Sequence, residues 1–125
     1  MPRTNPNRDE ACEERILMEI IVDAYGEEER AMGWYYYLQD TLRFPFKATC
    51  IVKRSISPLK VKDRVKVIGM PGEDECDREV FVTIERGDGD LAVPLSQLHP
   101  VAATDDETTQ AVEDWHYWVN MGYVY

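Results

Sequence analysis

The feature that most constrains the fold of this sequence is a change in hydrophobic period at Lys47. Before it, apolar side chains recur at the three- and four-residue spacing of amphipathic helices. After it come short runs rich in β-branched residues, separated by turn sequences such as Pro71-Gly72. These runs predict strands at residues 48–53, 64–70, 80–86 and 91–95. The fold class is therefore predicted to be α+β.

The strands are predicted to form a small antiparallel barrel, because several short strands at this spacing favour a curled sheet. The stretch LKVKDRVKVIGM, a turn that leads into a strand, resembles the beginning of an SH3-like or Sm-like barrel. LAVPLSQLHP resembles a last strand that breaks into a short 3₁₀ turn.

Three helices are predicted around this barrel, two before it and one after it. The first has its helical pattern from Cys12 to Tyr25. Gly26 separates the first two as a helix-ending residue, although one kinked helix through Gly26 is the alternative. The second helix begins with acidic residues at Glu27 and continues to about residue 42. In the last helix, Thr104 and Glu107 fit a capping box and Gly122 fits the position after the helix end.

The composition of the sequence limits the classes of function and partner that the protein can have. The 125 residues suit one domain, predicted over residues 12–125 after a flexible leader at residues 1–11. With 14 Lys and Arg against 24 Asp and Glu, the net charge is −10. This charge disfavours nucleic acids and anionic membrane surfaces as partners, and it favours cations or a basic protein.

No apolar run approaches a membrane span, and the first ten residues lack a secretory apolar segment. Three widely spaced cysteines indicate a reducing, cytoplasmic location.

The densest acidic cluster is GEDECDRE, at residues 72–79, in the predicted connection between two strands. Hard cations such as Ca²⁺ bind six to eight oxygen ligands on flexible backbone, which a loop of this kind can supply. The alternative is a solvated acidic loop without a ligand. The candidate metal ligands in the cluster are Glu73, Asp74, Glu75 and Asp77.

Asp40 is a further candidate ligand, in the last turn of the second predicted helix. In an antiparallel meander, the start of the first strand, the end of the second and the start of the third share one end of the sheet. The acidic cluster and the residues just before Lys47 are therefore expected to be neighbours. A carboxylate near a helix C-terminus is unfavourable for the helix dipole, so Asp40 invites a compensating cation. A plain surface aspartate is the alternative.

The GDGD segment at residues 87–90 is a weaker candidate, through Asp88 and Asp90. It is not an EF-hand, because counting from Asp88 places Val93 and His99 where the loop needs Gly and Glu. Hairpin-turn chemistry accounts for the segment without a ligand. Zinc spacing is absent, and no His or Cys has a visible catalytic partner, so no enzyme is predicted.

Four blocks of the sequence resemble the cyanobacterial calcium-binding protein CcbP family: ERILMEIIVDAYGEEERAMGWYYYLQDTLRFPF, ISPLKV, LAVPLSQL and AVEDWHYWVNMGY. The resemblance runs from about Glu14 to Tyr123. It implies an acidic cytosolic protein that binds Ca²⁺ without EF-hands, on an SH3-like or Sm-like barrel with helices, and that buffers or sequesters Ca²⁺ in calcium signalling. It also makes Asp40 the first-choice ligand, because Asp40 lies in the longest block. The alternative function is an acidic interaction module that docks a basic protein, whose identity the sequence does not give.

Overall fold

The change of period at Lys47 corresponds to the change from helices to strands. The computed structural model describes residues 9–21, 24, 26–76, 78–87 and 89–122. Within these residues the helices are α1 (Glu10–Arg15), which continues into a π-helical turn (Ile16–Ile20), α2 (Glu27–Thr41) and α3 (Asp106–Asn120). The strands are β1 (Phe46–Cys50), β2 (Arg64–Gly69), β3 (Phe81–Arg86), β4 (Gly89–Pro94) and β5 (Leu98–Pro100). The predicted α+β class is confirmed.

The strands form one antiparallel sheet in the order β4-β3-β2-β1-β5. Register pairs such as Lys47↔Lys66 place the start of β1 beside the end of β2, which in turn lies beside the start of β3. Alternate side chains of β3, Val82 and Ile84, are fully buried, as expected for a strand with one face on the core. The shared sheet end expected from the sequence is therefore present.

The expected closure into a barrel is not confirmed. The sheet is open: β4 and β5 are its two edges, and within the described residues no strand pairing joins them. The chain turns from β4 to β5 through a 3₁₀ turn at Leu95–Gln97, which the sequence predicted, but strand β5 itself was missed. Its three residues end in Pro100, whose missing N–H is tolerated on an edge strand.

The N-terminal helices differ from prediction at their junction. α1 begins at Glu10, where the Asp9 side chain accepts a hydrogen bond from Cys12 N, rather than at residue 12. Gly26 does not end the first helix. It is the extended N-cap of α2, with φ −148° and ψ 172°, which suits the acidic first turn that follows it. Residues 22, 23 and 25 of the predicted first helix lie outside the described residues.

At the start of α3 the cap is Asp105 rather than Thr104, because the Asp105 carboxylate accepts from Thr108 N at 2.9 Å. This hydrogen bond, which favours the ionised carboxylate, lowers the pKa of Asp105. At the other end Gly122 has φ +82°, the left-handed conformation expected of a residue just after a helix.

The helices pack through aromatic side chains. Trp34 of α2 is fully buried and meets Trp115 of α3 edge to face, with ring centroids 5.0 Å apart, and Trp118 at 6.0 Å. Tyr36, on the other side of α2, is 45% exposed. Some of the consecutive aromatic rings of α2 therefore form the core, while a tyrosine on its other side reaches water. None of the helices within the described residues is both long enough and apolar enough to cross a bilayer.

Candidate metal site

The acidic cluster of the sequence folds into a 3₁₀ helix, Glu73–Cys76, between β2 and β3; we call these four residues the acidic turn. Glu75 N donates to Gly72 O at 3.0 Å and closes the turn. Cys76 is buried, and its Sγ accepts from Phe81 N at 3.4 Å, which ties the turn to the start of β3. Because Cys76 is the residue that faces inward, the three acidic side chains before it are left exposed.

Helix α2 packs directly against this turn through two tyrosines. The Tyr35 hydroxyl donates to Pro71 O at 2.6 Å, and the Tyr36 hydroxyl donates to Glu73 Oε2 at 2.6 Å. The hydrogen bond to Glu73 raises the pKa of Tyr36, since a phenolate there would face a carboxylate. Burial is the main cause that raises the pKa of Tyr35, and the nearby negative groups act in the same direction. The electrostatic potential at this junction is therefore negative.

A groove of about 470 Å³ lies between the first turns of α2 and the acidic turn. Its carboxylates come from both sides: Glu27 and Glu28 from α2, and Glu73 and Asp74 from the acidic turn. Sequence reasoning assigned Glu27 and Glu28 only to helix capping and missed this placement. Their spacing from the acidic cluster, more than 40 residues along the chain, contains no signal of the contact.

Asp40 lies on the same helix, one turn beyond Tyr36, or about 6 Å further along the axis. It is exposed, and within the described part of the chain it forms no ion pair. The nearest basic residue in sequence, Arg43, pairs instead with Asp105 at 3.8 Å and Glu107 at 3.3 Å. The carboxylate of Asp40 is therefore available at the C-terminal side of the contact between α2 and the acidic turn.

The remaining candidates do not join this group in the structure. Asp77 and Asp88 lie outside the described residues. In the β3–β4 hairpin, the backbone of Asp90 lies opposite the backbone of Glu85. This end of the hairpin is separated from the acidic turn by the length of β3, about 17 Å. Gly87, with φ +48°, provides the turn conformation, so the hairpin interpretation of GDGD is confirmed. Among the described residues, no three His, Cys, Asp or Glu side chains already form a metal-binding group.

The donor set at the junction is chemically selective. It consists of carboxylate and carbonyl oxygens on a short irregular turn, which are the ligands of a hard divalent cation. The thiol of Cys76 is buried and directed to the backbone of Phe81, so it is not a soft ligand for this groove. The residues present therefore suit Ca²⁺ better than a soft metal.

Comparison with known proteins identifies the class. A family model described as "Calcium binding", that of the CcbP proteins, matches residues 14–119. The chain belongs to this CcbP family, which is a family of calcium-binding proteins.

Two solved structures agree. One is "The crystal structure of Anabaena CcbP", with 44% identity over 94% of this chain and 96% of that chain, and a TM-score of 0.82. The other, described as "Calcium binding protein in the calcium-binding form", has 40% identity over 98% and 100% of the two chains, and a TM-score of 0.84. Comparison with curated proteins gave no match.

Proposed function

We propose that this protein binds Ca²⁺ with carboxylates at the junction of α2 and the acidic turn, and that it buffers Ca²⁺ in the cytosol. The observation that supports the proposal is the hydrogen bond from Tyr36 to Glu73, which brings the acidic turn against the helix that carries Asp40. Family membership supports the choice of Ca²⁺. The three free, buried cysteines suit a reducing compartment.

The residues of this chain have distinct roles in the proposal. Asp40, Glu73, Asp74, Glu75 and Asp77 are the proposed ligands, and the weaker pair Asp88 and Asp90 would form at most a second site at the other sheet end. The acidic turn is held by Cys76 at one end and by the Tyr35 contact to Pro71 at the other. Its exposed carboxylates can therefore rearrange around an ion without loss of the strands that carry them.

Binding is expected to stabilise the folded chain. Carboxylates that face each other across the groove repel, and a cation held between them removes that repulsion. A metal that binds only the native state adds RT ln(1 + [L]/Kd) to the free energy of unfolding, about 2.7 kcal/mol at a hundredfold excess over Kd. Buffering and stabilisation are then two consequences of one binding equilibrium.

The test is calorimetric titration of EDTA-stripped protein with CaCl₂ in buffer that contains millimolar Mg²⁺. We expect saturable binding, micromolar or tighter, with whole-number stoichiometry. Asp40→Asn and Glu73→Gln should each weaken it about tenfold or more, whereas Glu14→Gln, an exposed acid on α1, should not. Weak heat that Mg²⁺ abolishes would show that the carboxylates are only a diffuse anionic surface.

The second candidate function is an interaction module that docks a basic protein. The observation that favours it is that the groove combines carboxylates with apolar surface, including Met32, which is 43% exposed. A basic peptide could place an arginine against the acids and its aliphatic stem on Met32. This alternative requires that the protein binds a basic peptide. EDTA should leave that binding unchanged, and Glu27→Gln should weaken it.

A further inference from the structure

The charge of the protein is distributed very unevenly along the chain. Residues 47–66 hold seven of the 14 Lys and Arg but only one of the 24 Asp and Glu, Asp63, so this segment carries +6. The rest of the chain has seven cations and 23 anions, which gives −16. Most of the basic segment is the connection from β1 to β2, residues 51–63, which we call the basic loop.

The basic loop lies at the sheet end opposite to the acidic turn. It joins the end of β1 to the start of β2, whereas the acidic turn follows the end of β2. The six residues of β2 span about 17 Å. That length is about twice the Debye length of roughly 8 Å in physiological salt, so a cation next to the start of β2, such as Lys62, is largely screened from the acidic turn. Arg54 is different, because it reaches Glu79, just before β3, at 2.6 Å.

The basic loop also exposes aliphatic side chains. Of the eight large hydrophobic residues that are exposed within the described residues, four are in this loop: Ile51 (48%), Val52 (44%), Ile56 (55%) and Val61 (51%). A single exposed aliphatic residue is ordinary, but a group confined to one loop indicates an interaction surface.

These side chains are exposed although the loop is firmly held. Lys62 N donates to Cys50 O at 2.8 Å, and Cys50 N donates to Asp63 O at 2.8 Å, so the two ends of the loop are joined. Near its start, the Gln97 amide donates to Val52 O at 3.0 Å. Leu59 fills the inward position and is 2% exposed. The exposed aliphatic groups are therefore those that an ordered loop directs to solvent.

Most cations of the segment have no acidic partner to neutralise them. Lys53, Lys60, Lys62 and Arg64 are exposed, and within the described part of the chain they form no ion pair. Two others are paired: Arg54 binds Glu79 at 2.6 Å, and Lys66 lies 3.6 Å from Glu85. Free cations and exposed aliphatic side chains thus occupy the same projecting loop.

We propose that the basic loop docks on an anionic phospholipid surface, with its aliphatic side chains at the acyl boundary and its lysines among the headgroup phosphates. This combination is the one that interfacial binding uses. An acidic peptide fits less well, because β1 and β2 are paired on both sides and offer no free strand edge at this loop. The net charge of −10 predicted repulsion from such surfaces, but the basic loop itself carries four cations and one acid.

The test is cosedimentation with large vesicles of phosphatidylcholine alone or mixed equally with phosphatidylglycerol. EDTA is present throughout, so that the outcome does not depend on the calcium site. We expect binding only to the anionic vesicles and its loss in high salt. Lys53→Gln/Lys60→Gln should weaken partition roughly 25-fold, at about fivefold per lysine, and Ile56→Ser roughly fivefold.

Two matched controls remove similar groups elsewhere. Arg43→Gln/Arg78→Gln removes two exposed cations outside the basic segment, and Leu17→Ser removes an aliphatic residue that is 50% exposed. Both control variants should bind the vesicles as the unmodified protein does. Circular dichroism is used to check that every variant is folded. Absence of binding, or equal binding to both vesicle types, overturns the proposal. A loss with the lysine variant but none with Ile56→Ser also overturns it, since the loop would then be a general polyanion site.

Discussion

Replacing Arg15 should destabilise the protein more than replacing its partner Asp114, although the two form one ion pair between α1 and α3. Arg15 donates to the Asp114 carboxylate through Nη2 at 2.6 Å and Nε at 3.2 Å. Gln110 adds an amide donor at 2.9 Å and Cys12 a thiol donor at 3.3 Å. Burial, with this hydrogen bond, raises the pKa of Cys12 to about 12, so the thiol keeps its proton and remains a donor. Asp114 is fully buried, whereas the Arg15 side chain is 34% exposed.

The asymmetry follows from what each substitution leaves behind. Arg15→Met leaves a buried carboxylate with only one amide and one thiol donor, and removing one partner of a buried pair costs about 3–5 kcal/mol. Asp114→Asn keeps the shape and leaves a guanidinium that reaches water, so a cost of about 1–3 kcal/mol is expected. At about 4 °C per kcal/mol, Arg15→Met should lower the Tm by roughly 12–20 °C.

Urea unfolding followed by tryptophan fluorescence measures both costs, because Trp34 and Trp115 are buried in the core. Arg43→Met is the control: its guanidinium is also ion-paired, but its side chain is 66% exposed, so the loss should stay within about 1 kcal/mol. If Arg15→Met costs no more than this control, or less than Asp114→Asn, then the argument from burial is wrong.

Three further predictions concern pH, packing and capping. Burial lowers the pKa of His116 below its ordinary value, so the unfolded chain takes up its proton first on acidification. The free energy of unfolding should therefore fall as the pH drops below about 7, and urea midpoints should show a smaller fall for His116→Gln. A Cβ on Gly33 would lie 2.7 Å from a backbone oxygen of the π-helical turn, so Gly33→Ala should cost about 1–3 kcal/mol in the same assay, whereas Gly69→Ala, with nothing within 4 Å, should not. Asp105→Ala should lower the thermal midpoint and Thr104→Ala should leave it unchanged, since only Asp105 caps α3.

The sequence predicted the elements whose signals are local. The acidic first turn of α2 and the glycine after α3 gave those boundaries because the residues act on their own backbone. Strand β5 was missed because its three residues have no period of their own and become a strand only through pairing with β1. The junction at Gly26 was misassigned because an extended glycine caps a helix start as readily as a left-handed glycine ends one.

Strand topology allowed the sequence to predict at which end of the sheet the candidate site lies, but not the contacts within the site. Antiparallel connection alone places the acidic turn and the end of α2 at one end of the sheet, whatever the side chains are. The pairing of Tyr36 with Glu73 depends on how α2 rotates and how closely it approaches its neighbours. That approach is permitted by Gly33 and oriented by Trp34, and neither residue carries a charge that composition would count.

Net charge alone is too coarse a guide to the partners of a protein, for a related physical reason. A total of −10 describes the field far from the molecule, but salt screens that field within about 8 Å, so a partner responds to the end that it meets. The sequence already contained the separation, since residues 47–66 hold half of the basic residues and one acid. Only the strand order shows that the basic loop within this segment and the acidic turn lie at opposite ends of β2. A cation at one end and an anionic surface at the other can therefore bind independently, and vesicle binding should be the same in EDTA for Asp40→Asn as for the unmodified protein.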